Sequence, residues 1–278
     1  NITSQYPAYS PDGKEVAFLE NRTAIRVVNL KSGKVRTAME GKWQYSYSDG
    51  DQHFEWSPDS RWILSDYIGI GGWNNKDVVL VKADGSGEMH NLTQSGYNDG
   101  RAKWVLGGKA MIWSSDRAGF RSHGSWGAES DVYIMFFDLE AYEKFRMNDE
   151  DLALYEEAEK ERKMKEAKEK AEQDKKKKGK KHKKDDKKEK EEEDTLAFDL
   201  ENCRDRVMRL TANSSLLGDA LLSKDGNMLY YLTSFEGPQD LWVRDLKEYT
   251  YSGERYWQGL PGTVQAGRHL HLWRWRHA

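Results

Sequence analysis

Cysteine is nearly absent from this sequence of 278 residues, which contains only Cys203. One thiol excludes an internal disulfide framework and any cysteine cluster that could bind zinc or an iron–sulfur centre. The seven histidines are scattered except for His269 and His271, and neither of these has a carboxylate near it in the sequence. We therefore expect no metal site and no cofactor.

Long apolar runs are absent as well. No stretch approaches 18 uninterrupted apolar residues, so we expect no membrane span. The chain begins at Asn1 rather than at methionine, which indicates a fragment or a processed chain.

Charge is plentiful but unevenly distributed. The 46 positions from 149 to 194 hold 18 acidic and 17 basic side chains. Alternating charges with i,i+4 pairs predict a solvent-exposed helix from 149 to about 174. Residues 175–194 are predicted to be disordered because they cannot bury apolar surface. The segment is either a solvated arm or an arm that docks a partner. Its near balance of charge argues against a nucleic-acid partner.

Four tight turns punctuate the chain, each between an aromatic or apolar residue and an apolar run: 9–13, 56–60, 104–108 and 222–226. The first three start 47 and 48 residues apart, and the fourth starts 118 residues after the third. A fixed period in the forties is typical of a repeat architecture. The long interval equals one period plus about 70 residues, so it predicts an insertion.

Two strand-like apolar runs follow every turn: 15–19 and 24–30, 62–65 and 77–81, 110–114 and 131–136, 228–232 and 240–246. With the aromatic run before each turn and a last run after it, they give four short antiparallel strands per period. This pattern is typical of a β-propeller blade. We predict an all-β fold, a partial β-propeller of about four four-stranded blades.

The dipeptide Leu-Thr locates the predicted insertion. Two copies of it, at 92–93 and 210–211, each lie 12 residues before the next turn begins. The insertion therefore lies in the third blade, before its last strand. We expect the following divisions: blades one to three (first part) in 1–140, a charged helical then disordered insertion in 141–197, the end of the third blade and the start of the fourth in 198–246, and an atypical tail in 247–278.

Several motifs resemble known propellers. The order Leu-Thr, Asp99 and Trp104, and the run Trp56-Ser57-Pro58-Asp59, are similar to blades of TolB, of prolyl-oligopeptidase-type enzymes and of tricorn proteases. The stretches 116–127, 131–133 and 199–206 flank the charged insertion. Together they resemble the propeller region of bacterial tricorn-like serine peptidases, of the C-terminal processing peptidase class. The resemblance covers about residues 1–246.

This resemblance implies a noncatalytic segment that guides or gates polypeptide substrates toward a catalytic domain absent from this chain. It also implies downstream PDZ and peptidase domains as partners, a homo-oligomer, and a periplasmic or cell-envelope location, with the cytoplasm as the alternative. The competing hypothesis is a TolB-like propeller that acts as a nonenzymatic protein-binding scaffold. A hydrolase of the prolyl-oligopeptidase kind would instead carry an α/β-hydrolase domain.

No catalytic residue is predicted. Ser125 lies in a Gly-Ser-Trp-Gly run that lacks the Gly-x-Ser-x-Gly spacing of a nucleophile elbow. His123 is two residues from Ser125, and we do not expect it to act as a base for Ser125. We interpret this Gly-rich, aromatic loop as a substrate-facing loop whose candidate residues are Arg121, His123, Ser125 and Trp126.

The tail departs from the repeat. After Glu254 no acidic residue occurs in 24 positions, and the fifth turn expected near residue 270 is absent. One hypothesis is a cationic, aromatic surface-binding end. The other, which we favour, is a reading-frame error or truncation just past Lys247.

Overall fold

The chain forms four antiparallel β-sheets that follow one another in sequence, in a computed structural model that describes residues 2–44, 52–69, 72, 74–121, 127–177, 195–235 and 237–247. In each sheet the strands lie side by side in a meander, and a charged helical insertion interrupts sheet three. The predicted all-β, partial-propeller fold is confirmed. Sheets one to three have four strands each, and sheet four has three strands among the described residues.

The strands are as follows. Sheet one contains β1 (Ser4–Tyr9), β2 (Glu15–Glu20), β3 (Ala24–Asn29) and β4 (Val35–Met39). Sheet two contains β5 (Phe54–Trp56), β6 (Trp62–Tyr67), β7 (Asp77–Lys82) and β8 (Met89–Asn91). Sheet three contains β9 (Asp99–Val105), β10 (Ala110–Ser115), β11 (Asp131–Phe136) and β12 (Val207–Arg209). Sheet four contains β13 (Leu216–Leu222), β14 (Met228–Ser234) and β15 (Asp240–Asp245).

A Ser–Asp clasp closes the turn between the first and second strands of sheets one, two and four. In sheet one, the Ser10 hydroxyl donates to Asp12 at 2.7 Å, and the same carboxylate accepts the Lys14 backbone N–H at 3.1 Å. The pairs Ser57–Asp59 and Ser223–Asp225 repeat this arrangement at 2.5 Å each. Such side chains satisfy backbone groups that a tight turn leaves unpaired. The turn of sheet three lacks both residues and uses a 3-10 turn, Leu106–Gly108.

Apolar cores lie between successive sheets. Sheets one and two share one cluster, sheets two and three a second, and sheets three and four a third. Two tryptophans also bond to the first strand of the preceding sheet: the indole N–H of Trp56 donates to the Ala8 carbonyl at 3.1 Å, and that of Trp104 to the Glu55 carbonyl at 3.4 Å. The first strands of neighbouring sheets are therefore in contact, as expected for blades stacked around a common axis.

The insertion contains two helices between β11 and β12. Helix α1 (Leu139–Arg146) begins after Asp138, whose side chain accepts the Ala141 N–H at 2.7 Å, and α2 spans Asp149–Lys177. The sequence pattern predicted α2 but not α1. Helix α2 ends at Lys177, three residues beyond the expected end near 174, and the rest of the segment predicted to be disordered, 178–194, lies outside the described part of the chain. In the described residues no helix is long and apolar enough to cross a membrane.

The segment that returns from the insertion joins sheets two and three. Phe198 packs against Trp62, Trp104 and Phe137, with ring centroids 5.1–5.7 Å apart. The backbone N–H of Leu196 donates to Asp59 at 3.1 Å. β12 then pairs with β11, so the last strand of sheet three is supplied after the insertion.

Candidate polypeptide-binding face

The sheets have two distinct ends. The turn end carries the short turns between first and second strands, residues 10–14, 57–61, 106–109 and 223–227. The loop end carries the connections between second and third strands and the links from one sheet to the next. Because the strands alternate in direction, the long connections 68–76, 92–98 and 116–130 meet at this loop end.

Arg121 ties three of these loop-end connections together. Its guanidinium donates to the Asp116 carboxylate at 3.1 Å, to the Asn75 side-chain oxygen at 3.1 Å and to the Gly96 carbonyl at 3.4 Å. It also lies over the Tyr97 ring, 5.3 Å from its centroid. The planar guanidinium presents several donors in a fixed geometry, which suits such a multiple contact. One side chain thus holds together residues from sheets two and three.

Two aromatic rings are exposed beside Arg121. Phe120 is 67% exposed and Tyr97 is 38% exposed. The loop between β10 and β11 is closed at its base, because the Glu129 N–H donates to the Phe120 carbonyl at 2.9 Å. We call Tyr97, Phe120 and Arg121 the loop-end patch. Of the four predicted site residues only Arg121 is placed, since His123, Ser125 and Trp126 lie outside the described residues.

A buried ion pair supports the patch from below. Asp99 is fully buried and accepts two bonds from Arg117, at 2.9 and 3.2 Å, and one from the Ser95 hydroxyl at 2.6 Å. Arg117 also covers the rings of Trp113 and Tyr133. A buried carboxylate needs such compensation. These groups therefore hold the loops in place.

In the structure, the threonines of the Leu-Thr dipeptides at 92–93 and 210–211 each bond to a buried aspartate, a contact that was not predicted from the sequence. Thr93 donates to the buried Asp77 at 3.1 Å, and Thr211 donates to the buried Asp131 at 2.6 Å. Each aspartate begins the third strand of its sheet, and each threonine follows the fourth strand. The pair thus fastens the last strand of the sheet to its neighbour. The signal was in the sequence, because an Asp begins the run at 77 and again at 131.

Both described histidines contact groups other than a nucleophile. His53 Nε2 lies 2.9 Å from the Ala102 carbonyl oxygen, and His90 Nε2 lies 3.1 Å from Glu88. Burial raises the pKa of Glu55 to about 7, although the Trp104 N–H and the Lys103 ammonium act in the opposite direction. Glu55 points into the contact between sheets two and three, where its carboxylate lies 3.3 Å from that N–H. Its environment stabilises the neutral acid in a packed interface.

The sequence predicted Arg121 but not its neighbours. Asn75 is 46 residues away from Arg121, close to one repeat period, which places the two residues at the same end of adjacent sheets. That spacing could have indicated the contact. Tyr97 and Phe120 carry no periodic signal, because connections between strands vary in length from sheet to sheet.

Comparison with protein families and with curated proteins gives no match. Among solved structures the chain is similar to the tricorn protease, with a TM-score of 0.56 and 10% identity over 88% of this chain and 22% of that one. It also matches TolB from Acinetobacter baumannii, with a TM-score of 0.46 and 17% identity over 88% of this chain and 41% of that one. A third match is the β-propeller domain of the Trilobed protease from Pyrococcus furiosus, with a TM-score of 0.40 and 14% identity over 88% of this chain and 56% of that one.

These similarities concern the fold. The tricorn protease match supports the propeller architecture found in the strand order. The chain spans less than half the length of TolB and about a fifth of the tricorn protease.

Proposed function

We propose that this chain is a noncatalytic propeller that binds extended polypeptide at its loop-end patch and guides it to a serine peptidase unit outside this sequence. The observation that carries the proposal is the patch itself. Phe120 and Tyr97 are exposed beside a guanidinium that is held in place by three loops. Aromatic and arginine side chains are enriched where proteins bind one another.

The polar groups around the patch support a binding role. Asp99 and Asp116 are buried and bonded to arginines, so they hold the loops in place. The two described histidines lie against a carbonyl and a carboxylate. An exposed, rigidly supported aromatic surface binds without needing a reactive group. The proposal includes the cell-envelope location implied by the resemblance to bacterial tricorn-like peptidases.

The test measures binding of an unfolded polypeptide to the full chain. The probe is a reduced, carboxymethylated protein with a fluorescent label, followed by anisotropy. Phe120→Ala and Tyr97→Ala should each weaken binding about tenfold, the loss expected when a central aromatic contact is removed. The matched control is Leu154→Ala, another exposed apolar residue, which lies on α2 and should leave binding unchanged.

Three outcomes would contradict the proposal. Absence of binding by the wild-type chain, or equal binding by the patch variants and Leu154→Ala, would remove the polypeptide-binding role and leave the scaffold for folded proteins as the alternative. Cleavage of the probe that is abolished in Ser125→Ala would show that the chain is catalytic.

A further inference from the structure

Every sheet has two faces, and the order of the sheets along the chain decides which neighbouring sheet each face packs against. The forward face packs on the next sheet and the rear face on the preceding one. In sheet two, Leu64 and Leu80 belong to the forward core, whereas Ile63 and Val79 belong to the rear core. The forward faces of sheets one to three are covered in this way.

The forward face of sheet four is apolar and exposed. Leu221, Tyr230, Leu232 and Leu241 are 59%, 39%, 38% and 61% exposed. They share one face, because Leu221 pairs with Tyr230 and Leu232 pairs with Leu241 across the sheet. Their neighbour Leu229 points the other way, into the core shared with sheet three. A contiguous apolar patch of this kind marks an interaction surface.

The rear face of sheet one is exposed in the same manner. Tyr9 is 70% exposed and Val35 is 47% exposed, and they flank the partly exposed Val16 and Val28 on the same face. Tyr9 occupies the position that Trp56 holds one period later. Trp56 is buried and bonds to the first strand of the preceding sheet.

We propose that these two faces pack against each other between two copies of this chain, so that sheet four of each copy covers sheet one of the other. The forward face of sheet four and the rear face of sheet one are complementary, because every contact between sheets within the chain joins a forward face to a rear face. Tyr9 of one copy would then lie against the first strand of sheet four, near Leu221, as Trp56 lies against β1.

The number of sheets favours closure after two copies. The described residues of each copy form four sheets, so the described parts of a pair related by a twofold axis contain eight sheets. Closed propellers have about four to eight blades. Three copies would exceed that range, and a head-to-tail contact that did not close would grow into filaments.

The test is the oligomeric state of the full chain, measured by light scattering on a sizing column between about 1 and 100 μM, which detects an association with a micromolar dissociation constant. The expected mass is twice the chain mass of 32.2 kDa. Leu241→Glu and Tyr9→Glu should each give monomers, because each places a charge in an apolar contact. The matched control is Leu154→Glu, which is 66% exposed on α2 and should leave the pair intact.

Mixing the two interface variants makes the test specific. Leu241→Glu retains a normal sheet one, and Tyr9→Glu retains a normal sheet four, so an equimolar mixture should recover a two-chain complex through one intact contact. If Leu241→Glu dissociates the pair while Tyr9→Glu does not, sheet four packs on itself and the proposed contact is wrong.

If something other than a second copy covers the forward face of sheet four, the measured mass will not be twice the chain mass. A wild-type chain that stays monomeric at every concentration would overturn the proposal, whether the tail 248–278 or a sheet from outside this sequence covers the face. A mass that rises without limit would exclude the closed pair. Circular dichroism of each variant separates loss of association from loss of folding.

Discussion

At the scale of single residues, buried carboxylates differ in the number of hydrogen-bond donors around them. Asp131 accepts bonds from Thr211, Ser214 and Arg209 at 2.6–2.7 Å and is fully buried. Glu55 has few donors beside it, so burial dominates and raises its pKa to about 7. The same side-chain type therefore contributes differently to stability at different positions.

Asp131→Ala should lower the free energy of unfolding by about 1–3 kcal/mol, because it leaves the buried Thr211 hydroxyl without its acceptor. The matched control is Asp219→Ala, which removes an exposed partner of Lys103 and should cost less than about 1 kcal/mol. Urea unfolding followed by tryptophan fluorescence measures both. Equal losses would show that the bonds of Asp131 to Thr211, Ser214 and Arg209 contribute no more than a surface ion pair.

Glu55→Gln should stabilise the chain in a pH-dependent manner. The folded state holds the Glu55 proton more tightly than the unfolded state, whose pKa has the ordinary value of 4.5. The contribution of protonated Glu55 to the free energy of unfolding is fully present below pH 4.5 and is lost as the pH rises towards 7. Relative to wild type, the variant should gain about 2–3 kcal/mol more at pH 8 than at pH 5.

Urea unfolding at both pH values measures that difference, and Glu201→Gln, at an exposed position, is the control. A gain for Glu55→Gln that is independent of pH would contradict the raised pKa of Glu55.

At the scale of elements, the junction of α1 and α2 depends on Lys144. Its ammonium lies 2.8 Å from Glu140 on α1 and 3.0 Å from Glu159 on α2. Bonds from Lys163 and from Lys144 lower the pKa of Glu159 to about 2. This carboxylate therefore stays charged down to strongly acidic pH, and its contribution to the junction is lost only as the pH falls from 4.5 towards 2.

Lys144→Met should speed amide hydrogen exchange several-fold in the first turns of α2, because it separates this helix from α1. Lys163→Met removes a partner of the same Glu159, but one within α2, and should have a smaller effect. Exchange measured by mass spectrometry on peptides from 149–160 compares the two. Equal exchange in both variants would mean that α2 does not depend on α1.

Elements also show how far the sequence could predict this fold. The strands of sheets one to four follow from the apolar runs around the turns. Three of the turns contain the Ser–Asp clasp, which the spacing of the turns did not predict. The turn at Leu106–Gly108 keeps its place in the repeat without those residues, because the neighbouring strands fix its ends. Helix α1 was missed because it has only eight residues, although Asp138 is a normal N-cap. Contacts such as Arg121 with Asn75 depend on how sheets stack, which local patterns do not specify.

At the scale of the whole molecule, the proposed contact between sheet four and sheet one implies a stability that depends on concentration. An assembly that binds only the folded chain stabilises it by mass action. The melting temperature of the wild-type chain should therefore rise by about 1–3 °C for each tenfold increase in concentration. Calorimetry should find no such rise for Leu241→Glu, and a rise of equal size in that variant would separate thermal stability from the proposed contact.

The position of the insertion has a consequence for the time course of synthesis. β11 ends at Phe136 and its partner β12 begins at Val207, so about 70 residues must be made between the two strands. At about 5–20 residues per second, the ribosome needs roughly 4–14 s for this segment. During that interval the nascent third sheet has an unpaired outer edge. Sheets one and two can form earlier, whereas sheet three can be completed only after both helices have left the ribosome.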